Sequence, residues 1–131
     1  MKLILLAVAI LASFAVTGMA AEGAMMGGKP GPLKHVVSFK FKDSASADDV
    51  KKIEQAFKDL QKKINVIRSY DWGKNNSPEG LNKGFTHCFV LTFDNDADRK
   101  TYLDHPDHKE FGKMLGPILG DVFVIDFYSG K

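Results

Sequence analysis

The chain has 131 residues, 44% of them hydrophobic and 26% charged, which matches an ordinary soluble protein with room for one packed domain. Its 18 basic and 16 acidic residues are interspersed and leave a formal charge of +2, so no basic face points to nucleic acid or an anionic membrane as a partner. The single cysteine, Cys88, rules out an internal disulfide, and its apolar β-like surroundings predict a buried, protonated thiol rather than a nucleophile.

Lys2 is followed by an almost wholly apolar run, Leu3 to Val16, too short to span a bilayer comfortably. Gly18 and Ala20 then fill the −3 and −1 positions of a signal-peptidase site, so residues 1–20 are expected to be a cleavable secretory signal, a retained amino-terminal anchor being the alternative. The mature protein is expected to be secreted or periplasmic and, with no cysteine near that site, to have no membrane attachment after cleavage. Residues 21–32, made largely of Gly, Ala, Met and Pro, read as a flexible leader. The folded domain is expected over residues 33–131.

Lys34 to Phe41 alternates, with His35, Val37, Phe39 and Phe41 on one face, and predicts a first strand. Ser46 and Asp49 resemble a capping box, after which Val50, Ile53, Phe57, Leu60 and Ile64 form one helical stripe. A second strand is expected from about Val66 to Lys74, an exposed loop from Asn75 to Gly84, and a third strand from Phe85 to Phe93. The third strand's alternation assigns Phe85, His87, Phe89, Leu91 and Phe93 to the core. Asp94 to Leu103 reads as a short helix, and Pro106 opens another that Gly116 and Pro117 should break. Asp121 to Tyr128 is apolar almost throughout and predicts a strand buried on both faces.

The order β, α, β, β, α, β defines an α+β, ferredoxin-like split βαβ unit: a four-stranded antiparallel sheet with helices on one face. The other face carries Val36, Ser38, Cys88, Val90 and alternate residues of the last strand, and is more apolar than a solvated face needs to be. A homodimer packed sheet to sheet is the expected cover.

Five segments, in order, carry a resemblance: Lys34-His35-Val36-Val37, Tyr70-Asp71-Trp72-Gly73-Lys74, Gly84-Phe85-Thr86-His87, Tyr102 to His108 with its His105-Pro106-Asp107-His108 element, and Val124-Ile125-Asp126-Phe127. Over Leu33 to Tyr128 the chain resembles the stress-responsive A/B-barrel (Dabb) family, which implies a dimeric α+β barrel of two ferredoxin-like protomers. Most members have no settled biochemical role. One is a plant polyketide cyclase that closes a ring by aldol-type chemistry, and the resemblance implies His108 as its base and Tyr102 as its substrate-holding residue. It also implies His35 and His87 as pocket histidines. The loop Asn75 to Lys83 and the first helix depart from that enzyme, and these would form pocket walls.

The residues themselves fit such roles. His108 lies in the first turn of a helix, where the helix dipole disfavours the imidazolium and keeps the ring in the neutral form a base requires. Tyr102 could donate a hydrogen bond to an enolate oxygen. The alternative is that the histidine–proline segment is a turn signature, with His105 and Asp107 capping a helix and His108 buried. His35 and His87 fall on the Phe-rich sheet face, as pocket groups or as hydrogen-bonded core histidines. No Cys or Glu cluster accompanies His105 and His108, so neither a metal nor a cofactor is expected. The functional expectation is a pocket between sheet and helices, lined by His35, His87, Phe39, Phe57 and Phe89, that binds a small hydrophobic or aromatic molecule. Cofactor-free acid–base catalysis by His108 and Tyr102 is the alternative.

Overall fold

The computed structural model describes residues 31–130. The expected signal peptide and all of the leader before Gly31 lie outside the described residues.

Strand β1, Leu33–Phe41, buries Leu33, His35, Val37 and Phe39 on alternate positions, as the sequence requires. Ordered pairing begins earlier than the expected end of the leader. Gly31 N–H donates to Ser129 O at 2.8 Å, and Ser129 N–H donates to Pro32 O at 3.0 Å. Both halves of the capping box form at Ser46 and Asp49 and open helix α1, Ala47–Lys63, whose stripe buries Ile53, Phe57 and Leu60. Strand β2, Ser69–Lys74, starts later than Val66 because a turn, Ile67 N–H to Ile64 O at 3.2 Å, first tucks Ile67 into the core.

Strand β3, His87–Phe93, also starts late. Lys83 and Gly84 take positive φ angles of 54° and 84°, turning the chain just before it. Phe85 therefore leaves the expected core set and packs near Phe123 on the opposite sheet face, ring centroids 6.2 Å apart. Helix α2, Asp96–Asp104, is capped by the Asn95 side chain, which accepts from Asp98 N–H at 2.9 Å. Helix α3, Pro106–Leu115, follows with only His105 between them. It breaks where expected, passing into a single 3-10 turn, Gly116–Ile118, before strand β4, Leu119–Tyr128.

The sheet order is β2-β3-β1-β4, antiparallel throughout, which is the ferredoxin-like arrangement. Its helix-covered face holds a core of Phe39, Phe57, Phe89, Phe93, Tyr102 and aliphatic neighbours.

Two expectations about the other face need correction. Strand β4 is an edge strand, and Val122, Phe123, Val124, Ile125 and Phe127 are each about half exposed rather than buried on both faces. An apolar run in the sequence does not say whether its own chain covers both of its faces. Cys88 is likewise exposed, not buried. It sits in a cross-strand row, Gly73, Cys88, Ser38 and Phe123, whose first three side chains are small. That row floors a hollow of about 600 Å³, walled by Trp72, Leu81 and Phe85.

Candidate functional site

A second cavity, also of about 600 Å³, lies between the β1–β4 half of the sheet and helices α2 and α3. Its polar groups come from four elements. Strand register places His35 directly opposite Asp126, both on the helix side. His35 Nδ1 and Asp126 Oδ1 are 2.8 Å apart, and because a carboxylate only accepts, Nδ1 carries the proton. The other carboxylate oxygen of Asp126 accepts from Arg99 Nη1 at 2.7 Å. This bond, with the nearby charges of Asp126 and Asp96, raises the Arg99 guanidinium above its ordinary pKa. Asp126 thus links an α2 arginine to a β1 histidine that is only 6% exposed.

Tyr102, on α2, is 1% exposed, yet it lines the cavity. Its ring lies 5.9 Å from that of His35 and 4.5 Å from that of His108. Burial, with the nearby Tyr70 phenol, pushes its pKa well above the ordinary tyrosine value, so the hydroxyl remains a proton carrier.

The helix break after Asp104 fixes His108. His105 caps α3, its Nδ1 accepting from Asp107 N–H at 3.1 Å, and Pro106 takes the first helical position, where its missing N–H costs nothing. That turn brings His108 Nδ1 within 3.1 Å of Leu103 O. A carbonyl only accepts, so Nδ1 holds the proton and the neutral ring keeps its lone pair on Nε2. Burial lowers the His108 pKa from the ordinary 6.5, and His35 and His105 lower it further, against an opposing contribution from the Leu103 carbonyl bond.

The structure brings His35, Tyr102, His108, Phe39 and Phe57 to this one cavity. His87 and Phe89 lie elsewhere. Phe89 is fully buried in the core. His87 is held at both ring nitrogens, Nε2 by Glu54 Oε2 and Nδ1 by Thr86 Oγ1, each at 2.8 Å, and it stacks on Trp72 at the edge of the outer-face hollow. Asp126 and Arg99 were not among the expected site residues. A lone acid in an apolar strand, in register with a histidine, was the available signal for Asp126.

The fold and this cavity together define a ferredoxin-like α+β domain with an apolar pocket and, at one end, a buried tyrosine beside a half-buried histidine. The chain belongs to the stress responsive A/B barrel domain family, whose model matches residues 33–129. HS1 of Arabidopsis thaliana, a stress-response A/B barrel domain-containing protein, is 35% identical over 97 residues, covering 74% of this chain and 89% of that protein. Olivetolic acid cyclase of Cannabis sativa is 24% identical over 99 residues, 76% of this chain and 98% of the cyclase. Among solved structures, hydroxynitrile lyase from Passiflora edulis aligns with a TM-score of 0.73 at 25% identity, over 79% of this chain and 97% of its own. A similar structure from Bacteroides fragilis, TM-score 0.60 at 29% identity over 74% of this chain and 95% of its own, is described as a dimer with a ferredoxin-like fold.

Proposed function

We propose that this protein is an exported homodimer in which each protomer binds a small, mostly apolar carbonyl compound and acts on it by cofactor-free acid–base chemistry. The observation that carries the chemistry is the His108 Nδ1 contact with Leu103 O, which leaves Nε2 as the free base beside a cavity. In this reading Nε2 removes a proton from the carbon next to the carbonyl, and the electron pair of that C–H bond moves onto the carbonyl oxygen as an enolate. The Tyr102 hydroxyl donates a hydrogen bond to that oxygen. The His35–Asp126–Arg99 chain holds the imidazole of His35 in one tautomer against Tyr102. Enolate formation underlies aldol-type ring closure. The names of two similar proteins, olivetolic acid cyclase and hydroxynitrile lyase, support an enzymatic reading of the pocket.

Dimerisation is supported by the half-exposed Phe123, Ile125 and Phe127 on the outer sheet face and by the dimeric description of a similar structure. Export, to the periplasm or the medium, rests on the sequence of residues 1–20.

The test is deuterium exchange at the carbon next to the carbonyl of 4-phenyl-2-butanone, followed by NMR in heavy water. Exchange above the buffer rate is expected, falling by about 10²- to 10⁴-fold in His108→Ala with ligand affinity little changed. Equal exchange rates in the two proteins would overturn the catalytic half and leave a binding module.

A further inference from the structure

Tyr70 does not behave as a tyrosine at a sheet edge usually does. It lies on β2, an edge strand, and it is partly exposed, so its hydroxyl had water within easy reach. The structure does the reverse. The hydroxyl is the buried end, and it has no hydrogen-bond partner among the described residues. The ring is packed inward against Phe57 and Phe89, with centroids 5.6 and 6.3 Å away. A buried hydroxyl without a partner destabilises the fold, and a phenylalanine would fill the same space without that penalty. A group kept at a cost to the resting fold points to a role outside it.

The sheet shows where that role lies. Strand register sets Tyr70, Leu91, His35 and Asp126 in one row, with Leu91 between Tyr70 and His35. Tyr70 and His35 are therefore about 10 Å apart along the row at roughly 4.8 Å per strand. Tyr102 packs over the His35 end, its ring 5.9 Å from the imidazole, and it lines the cavity. The acid whose charge reaches Tyr70 is already engaged, since Glu54 Oε2 is 2.8 Å from His87 Nε2 and 3.9 Å from Lys74 Nζ. Burial and that charge push the Tyr70 phenol well above the ordinary tyrosine value, so it keeps a proton to donate. Tyr70 in turn helps to raise Tyr102, so the two phenols lie within electrostatic reach of each other.

We propose that Tyr70 is a positioning residue for Tyr102: when Tyr102 donates its proton to a ligand oxygen, the Tyr70 hydroxyl donates to a lone pair on Tyr102 Oη. A phenol has one proton to give and lone pairs that accept, so both bonds exist at once and each polarises the other. No proton changes owner. The Tyr70 hydroxyl gains its partner only with the ligand in place, and the bond is strongest when the ligand oxygen carries most charge, as it does in an enolate. This inference rests on the proposed placement of the carbonyl at Tyr102. It goes further by naming the group that makes Tyr102 a stronger donor.

The experiment is titration calorimetry of the full chain and of Tyr70→Phe. The probes are 4-nitrophenolate, which mimics an enolate oxygen, and 4-nitrotoluene, its uncharged counterpart. Phenolate affinity is expected to fall about tenfold in Tyr70→Phe, with nitrotoluene bound as before. The same variant should melt roughly 4–8 °C higher, because it loses only an unpaired hydroxyl. In a Tyr102→Phe background the second substitution should change phenolate affinity no further. Equal phenolate affinity in the parent and Tyr70→Phe, an equal loss with and without the Tyr102 hydroxyl, or a lower melting temperature would each overturn the relay. Since the readout is binding, absence of deuterium exchange alongside the expected loss of phenolate affinity would sink the catalytic reading and leave this one standing.

Discussion

Replacing Phe123 by alanine tests the sheet-to-sheet dimer most directly. Phe123 is 50% exposed in the single chain, and a phenylalanine side chain presents about 200 Å² when open, so about 100 Å² awaits cover. At roughly 25 cal/mol per Å², that is about 2.5 kcal/mol per protomer, and a two-fold interface uses it twice. Alanine keeps about a third of the apolar contact, so the dimer should lose about 3 kcal/mol, which is roughly a 100-fold weaker Kd. Area converts incompletely into affinity, which makes this an upper figure. Sedimentation velocity across micromolar concentrations reads the shift. Cys88 supplies an independent readout, because it lies in the same cross-strand row as Phe123 and is exposed in the single chain. Maleimide labelling of Cys88 should be slow in the parent protein and fast in Phe123→Ala. A variant that dissociates at the parent's concentration, with Cys88 no more reactive, would refute the argument.

Two further outcomes concern the cavity. Burial lowers the His108 pKa, so Nε2 stays free below the ordinary 6.5, and the acid limb of the exchange rate should fall below pH 6.5; a limb at or above 6.5 would place the base elsewhere. The same shift has a stability sign: the unfolded chain takes up the proton first, so stability is complete above pH 6.5 and is lost as pH falls toward the folded value. His108→Gln should therefore flatten the pH dependence of urea unfolding just below 6.5. Asp126→Asn removes the charge beside Arg99 and leaves one acceptor oxygen where Arg99 and His35 now use two, and at 19% and 28% side-chain exposure of Asp126 and Arg99 it should cost about 1–3 kcal/mol in urea unfolding. An unchanged midpoint would mean that Arg99 finds another partner.

How far the fold could be read in advance depended on what each element answers to. Helix α1 was legible because its cap and its stripe are both local: Ser46 and Asp49 satisfy each other, and Ile53, Phe57 and Leu60 recur at helical spacing. Phe85 misled because strand alternation on paper starts at Phe85 itself, while positive φ at Lys83 and Gly84 turns the chain just before it and sends the ring to the other face. Strand β4 and Cys88 misled for a different reason. Their apolar surroundings were read as burial, and the single chain leaves them exposed.

The site divides in the same way. Tyr102 and His108 were paired by the family resemblance, and the helix break between them is written in the sequence: His105 caps, Pro106 starts a new helix, and the turn they make folds His108 back onto the last residues of α2. His35 and His87 look equivalent, since both are histidines on the Phe-rich face of adjacent strands, and only the third dimension separates them. His35 pairs across to β4 and finds Asp126 beside an open cavity. His87 pairs across to β2, finds Lys74 opposite and Glu54 above, and is held at both nitrogens with no ring atom left for a ligand. What sequence alone could not supply is which edge of the sheet the helices leave uncovered. Helix α1 packs toward the β2 side and closes it with Phe57 against Phe89, whereas α3 ends at Leu115 and leaves β4 its cavity, so the same residue type is held at both nitrogens on one strand and lines a cavity on the next.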